Sequence, residues 1–276
     1  MHHKPILSFV LFGQELNIHL YGVFIALGLL ACIFVFYFYT TKKKMPEKLQ
    51  DFTFFIAILA IAIGFLMAKL FQAFYDFLKN GRFDFYNAGL TVMGGIIGGA
   101  TTFLIAYFVI GHFLFTGKNK GLHIEYFNEI LLIAPICITV AHAFGRLGCL
   151  MSGCCHGAYL GKEYVFGGIW MYAPDTRVTG YYIPTQLYES LFLFALFAVL
   201  SILYFKRFNV LMQIYLVAYG VWRFLIEYVR ADEVGGATNS LLRPSQWQSI
   251  VFVLIAIALF VLYRIKKIPF REKPKQ

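Results

Sequence analysis

Charge is scarce in this chain: Asp, Glu, Lys and Arg together supply 14% of 276 residues. So little charge is at odds with a surface that faces water on all sides. A continuous basic stripe is also missing. The basic residues fall between apolar runs, so the net charge of +10 does not describe a nucleic-acid-binding face, and loops lying against anionic lipid account for it. The first long apolar run closes on Thr41, Lys42, Lys43 and Lys44 without a small-residue cleavage site, so it is expected to be a retained span and not a cleaved signal peptide. Cysteines number five, and no pair of Cys-x2-Cys knuckles is among them.

Hydrocarbon is abundant instead. The chain is 60% apolar with a mean hydropathy of +0.70, against about 45–50% apolar residues in soluble domains. Aromatic residues, mostly 31 Phe and 18 Tyr, suit both a bilayer core and its interfaces. The expected fold is therefore an all-α polytopic membrane protein, a single integral domain over 1–276. Seven stretches are long enough to cross, at about 18–40, 52–75, 88–112, 127–150, 186–205, 209–230 and 246–264. An odd number puts the termini on opposite sides. Lys and Arg number fourteen in one set of connecting segments and seven in the other, which predicts an outside N-terminus and a cytoplasmic C-terminus. The long loop 151–185 is then external.

Lys69, Arg146 and Arg223 lie within or at the edge of these apolar stretches. Charge at that depth marks a functional site unless it can reach water. Lys69 is near enough to a span end to snorkel outward. Tyr219, Arg223, Glu227 and Arg230 recur at helical spacing, so one helix face carries them all. That face holds either a structural ion pair or a ligand. The stretch HAFGRLGCLMSGCCHG, at 142–157, raises the same question. His142, Arg146, Cys149 and Gly153 share a face for as long as the helix lasts. Gly145, Gly148, Gly153 and Gly157 keep the nearby backbone bare. Two arginines beside bare backbone suit a phosphate, which accepts bidentate guanidinium hydrogen bonds. In MGGIIGGA at 93–100 the glycines form small-xxx-small pairs, a helix-packing device.

Five segments carry a family resemblance: HLYG at 19–22, GGIIGG at 94–99, GRLGCLMSGC at 145–154, PTQLYES at 184–190 and YGVWRFLIEYVR at 219–230. On these the chain resembles the prolipoprotein diacylglyceryl transferases, seven-span bacterial plasma-membrane enzymes of lipoprotein biosynthesis. They move the diacylglyceryl group of phosphatidylglycerol to a prolipoprotein cysteine thiol and release glycerol phosphate. The resemblance implies Arg146 and Arg223 as catalytic, phosphate-holding groups. It implies Tyr21, Gly94, Gly95, Gly153, Gly157, Gln186, Tyr188, Glu189, Glu227 and Arg230 as the remaining phospholipid-binding residues. Phosphatidylglycerol and lipoprotein-precursor signal peptides are the implied partners within the bilayer, and no cofactor is implied. The chain departs from the family where Met93 replaces a histidine, Cys149 an asparagine, Cys154 a glutamate and Ile183 a histidine. His142 then stands either as the replacement catalytic base or as an interfacial histidine.

Cys32 and Cys137 read as core residues. Cys149, Cys154, Cys155 and His156 are open to three readings: a metal site, an external disulfide or a reactive thiol. Adjacent Cys154 and Cys155 fit one tetrahedral ion poorly. Besides the transferase, the readings that stand are a paralogue serving another acceptor, a non-catalytic lipid-binding protein, and a metal or redox membrane protein. The polar stretch 231–246 reads as an ordinary connection or as a cover over an outer site.

Overall fold

The computed structural model describes residues 5–11, 14–86, 88–89, 91–231 and 242–270. His2, His3 and most of the 231–246 connection lie outside the described residues, as does any covering role expected of that connection. The chain forms two compact units, Tyr39–Ile130 and Met1–Phe38 joined with Leu131–Gln276.

The Tyr39–Ile130 unit is built on a helix pair, α2 (Glu47–Asn80) and α3 (Val92–Leu114). A left-handed Gly81 at φ 70° ends α2, its N–H returning to the Phe77 carbonyl at 2.8 Å. The glycines of MGGIIGGA face α2. A Cβ at Gly94 would stand 2.7 Å from Phe71 Cβ and 2.8 Å from the Met67 carbonyl, and one at Gly95 would touch Ala68. The two backbones therefore approach more closely than larger residues allow, which is how helices gain contact in lipid. This packing accounts for Gly94 and Gly95 without a phospholipid. Lys69 lies over the Phe85 ring at 5.2 Å. The short helix α4 (Leu122–Glu125) buries His123 with its ring stacked on Phe115. Burial and the neighbouring His112 push the His123 imidazole below its usual range.

The other unit holds most of α1 (Leu20–Lys42) and α5 (Phe127–Ser152), with α6 (Thr185–Phe205), α7 (Leu211–Ile226) and α8 (Pro244–Ile265). Among the described residues, six helices are long and apolar enough to cross a membrane: α1, α2, α3, α5, α6 and α8. The protein is a multi-pass membrane protein. The stretch expected to span 209–230 is shorter as a helix. Its 16 residues reach about 24 Å at 1.5 Å per residue, and the chain leaves the helix at Glu227. Large apolar side chains such as Leu30, Phe34, Leu78 and Phe113 stay exposed on the helix surfaces, as lipid contact requires.

Two sheets add to the expected all-α fold. A hairpin pairs β1 (Leu7–Leu11) with β2 (Gln14–Ile18). The segment expected as a long loop folds into β3 (Tyr159–Gly161), β4 (Ile169–Ala173) and β5 (Val178–Tyr182), antiparallel in the order β3-β5-β4. Met171 and Tyr182 alternate with outward neighbours and pack with Ala173 onto Leu150 near the end of α5. Each such large buried side chain contributes about 1.5–3 kcal/mol. This core anchors the sheet to the end of α5 that carries the arginine.

Candidate active site

Three helices and one reversal of the chain build the site. The last turns of α5 present His142, Arg146 and Cys149. The first two turns of α6 bring Gln186, Glu189 and Ser190, and the end of α7 brings Tyr219 and Arg223. Ser190 donates to the Ala143 carbonyl at 3.0 Å, locking α6 to α5 one turn before Arg146.

Glu189 is the centre of the charge cluster and is almost wholly buried, at 2% exposure. Arg146 Nε stands 3.0 Å from one of its oxygens. The Tyr219 hydroxyl donates to the other at 2.9 Å, and His142 Nε2 is 4.0 Å from that second oxygen. The His142 ring also meets Tyr219 edge-on, with centroids 5.0 Å apart. Arg223 is within electrostatic range of both Glu189 and His142, and its own partner is Glu227 at 2.9 Å. Each arginine thus has a separate carboxylate: the Arg223–Glu227 pair is the ion pair that the helical spacing allowed, and Glu189 is a partner for Arg146 from another helix. Both contacts are ionic and poorly aligned, so neither Arg146 Nε nor Arg223 Nη1 completes a hydrogen bond to its carboxylate. Buried N–H groups in this condition retain capacity for an anionic acceptor.

A third arginine joins from the start of α8. Arg243 reaches Glu227 at 3.8 Å and donates to the carbonyls of Glu227 and Arg230 at 3.2 and 3.1 Å. In the sequence it is one of the seven Lys and Arg of the outward-assigned connecting segments. Its place before Pro244, with Gln246 three residues on, is a helix-start signal, and Gln246 does accept from its backbone N–H at 3.0 Å. Close by, an apolar groove of about 250 Å³ runs between α7 and α8, lined by Gly220, Phe224, Leu225, Ile250, Val253 and Leu254 among others.

The implied glycines belong to the backbone frame. Gly153 takes a left-handed φ of 76° just beyond α5, against the Tyr172 carbonyl. The face expected to run from His142 to Gly153 therefore stops at Ser152. Gly157 donates to the Ile183 carbonyl at 2.8 Å and bridges to Arg230. Tyr21 fits over Gly148, where a Cβ would lie 3.2 Å from its ring and its carbonyl, and it is within electrostatic range of Arg146. Tyr188 is more exposed, its hydroxyl donating to the Gly167 carbonyl at 3.2 Å.

The cysteines converge. The Sγ atoms of Cys149, Cys154 and Cys155 all lie within 4.8 Å of one another, and all five cysteines are unbridged. Adjacent residues are poorly placed to serve one tetrahedral ion in ordinary backbone. Cys155 instead adopts a left-handed φ of 61°, which turns both side chains the same way. The α6 start holds that turn: Thr185 donates to the Cys155 carbonyl at 2.7 Å and Gln186 to the Cys154 carbonyl at 2.5 Å. The neighbouring Cys149 and Cys154 thiols hold the Cys155 thiol well below its usual range against the opposing effect of burial, and Arg230 and Arg146 add to the drop. His156 does not join the thiols. Its Nδ1 lies 2.9 Å from the Gly157 carbonyl and its Nε2 3.0 Å from Asp175, so both ring nitrogens are engaged. Its place among the candidate metal ligands is corrected accordingly.

Six long apolar helices define a multi-pass membrane protein, and α5, α6 and α7 bring an arginine–carboxylate cluster together within one of its units. Its family follows from comparison: the prolipoprotein diacylglyceryl transferase model matches residues 8–262, and the chain belongs to that family. It is 31% identical over 273 residues to a protein of Clostridium tetani named phosphatidylglycerol--prolipoprotein diacylglyceryl transferase, covering 96% of this chain and 99% of that one. A Dehalococcoides mccartyi protein of the same name is 32% identical, covering 90% and 89% of the two chains. A Clostridium perfringens protein, numbered the second transferase of that name, is 32% identical over 94% of both chains.

Proposed function

We propose that this protein transfers the diacylglyceryl group of phosphatidylglycerol to the cysteine thiol of a lipoprotein precursor, releasing glycerol phosphate. The observation that carries the reading is the pair of a partly buried Arg146 and a buried Arg223, each close to a carboxylate yet short of a completed hydrogen bond to it. A phosphodiester takes up that capacity. As the bond from glyceryl carbon to phosphate oxygen breaks, charge grows on the leaving phosphate, and two fixed guanidinium groups stabilise it. Glu189 and Glu227 orient both arginines before lipid arrives. The acyl chains extend along the lipid-facing helix surfaces, and the groove between α7 and α8 suits one of them.

His142 is the base of this scheme, one helical turn from Arg146 and beside Glu189. Tyr21, Gln186, Tyr188 and Arg230 surround the headgroup. Seven crossings, with α7 completed by the residues to Arg230, put the N-terminus outside and the C-terminus in the cytoplasm of a bacterial plasma membrane. The lipid donor then enters from the outer leaflet. The test is complementation of a bacterial strain depleted of its own diacylglyceryl transferase, read by lipid labelling of a lipoprotein. Rescue is expected. Stable expression without labelling overturns the assigned acceptor.

A further inference from the structure

The three-cysteine cluster is not used by the charge chemistry above, although it lies beside it. We propose that Cys149, Cys154 and Cys155 bind one Zn²⁺ ion, whose fourth position takes the acceptor cysteine thiol. The second half of this inference rests on the transferase reading; the metal site does not.

Three thiolates with one open position make a catalytic donor set for Zn²⁺. Tetrahedral bonds of about 2.3 Å place sulfurs about 3.8 Å apart. The three Sγ atoms already lie within 4.8 Å of one another, so closure requires shifts of about 1 Å. The frame is built for it. A non-glycine residue is held at φ 61°, a conformation that costs free energy unless its surroundings impose it. Here Thr185 and Gln186 impose it through the two cysteine carbonyls. Gln186 is itself buried, and its Oε1 has no hydrogen-bond partner. Three thiolates and a divalent ion leave one negative charge, which Arg146 and Arg230 face electrostatically. The same Arg146 belongs to the proposed phosphate site, so acceptor sulfur and leaving phosphate would meet there.

The step balances without redox chemistry. The acceptor thiol loses its one proton on coordination, and that proton ends on His142, two turns back along α5. Its sulfur forms the S–C bond to the glyceryl carbon. The C–O bond to phosphate breaks, and the electron pair leaves on the phosphate oxygen. The product thioether, a weaker ligand than thiolate, then departs.

The experiment uses full-length protein in lipid nanodiscs, stripped with a chelator and reloaded with Zn²⁺ or Co²⁺. One ion per chain is expected, with sulfur-to-cobalt charge-transfer absorption and tetrahedral d–d bands. Cys149→Ser and Cys155→Ser should each lose the ion and the bands, while Cys137→Ser keeps both. A precursor-signal peptide carrying its cysteine should shift the d–d bands, and the same peptide with serine should not. Transfer from labelled phosphatidylglycerol should fall about 100-fold on stripping and return with Zn²⁺. No bound ion, or binding of Cu⁺ alone, overturns the metal site. Full transfer by stripped protein overturns the ion's role in holding the acceptor thiol and leaves the transferase reading intact. Loaded protein that binds the peptide thiol and transfers nothing supports the metal site and sinks the transferase reading.

Discussion

Glu189 of α6 stands 3.0 Å from Arg146 of α5, and it is the buried carboxylate on which the Tyr219 hydroxyl also converges. Removing it leaves a buried guanidinium without its counter-ion, at a cost of about 3–5 kcal/mol. Glu189→Gln should therefore lower the melting temperature in detergent by several degrees as well as reduce transfer. Unchanged melting would show that Arg146 does not depend on this partner.

Arg146→Ala and Arg223→Ala should each reduce transfer about 100-fold or more, as expected for removal of a fixed charge from a transition state. Membrane insertion should be intact. Arg146→Lys should keep part of the rate, since a point charge replaces the fork of donors. Normal turnover in either alanine variant would falsify the phosphate assignment.

His142→Ala should slow transfer at neutral pH more than His156→Ala does. His156 is engaged by Gly157 and Asp175, so its loss should appear mainly as reduced stability. Equal, small effects on rate would place the base elsewhere.

Asp175 sets a pH dependence of stability. Burial raises its carboxyl, but the hydrogen bond to His156 and backbone hydrogen bonds outweigh that effect and hold it below 3.8. A depressed carboxyl contributes fully above its unfolded range and loses its contribution as pH falls through the folded value. The melting difference between wild type and Asp175→Asn should be flat from neutral pH to about 5 and shrink below about 4. A difference that grows on acidification would reverse the sign and refute the pairing.

A membrane-impermeant thiol reagent added outside should label the 149–155 cysteines after reduction and metal removal. Labelling from the cytoplasmic side alone would invert the proposed topology.

Much of this was legible in the residues. Apolar stretches located every long helix, and Tyr219, Arg223 and Glu227 could be placed on one helix face. The sheet was missed because β3, β4 and β5 are short, and their aromatic alternation sits inside a glycine-rich connection that reads as loop. Arg243 was missed because its interaction with Glu227 crosses from the start of α8 to the end of α7.

Hydropathy adds up locally, so the chain alone decides that it enters lipid and which few charges it carries there. It also restricts those charges to an interior, since lipid solvates none of them. Partner choice is different. That Arg146 meets Glu189 while Arg223 meets Glu227 depends on how α5, α6 and α7 pack and rotate. Adjacent cysteines could converge because contacts from α6 hold Cys155 in a backbone conformation that its own sequence does not favour. Tertiary packing decided both, because ion-pair geometry and an unfavourable dihedral are settled by neighbours distant in sequence.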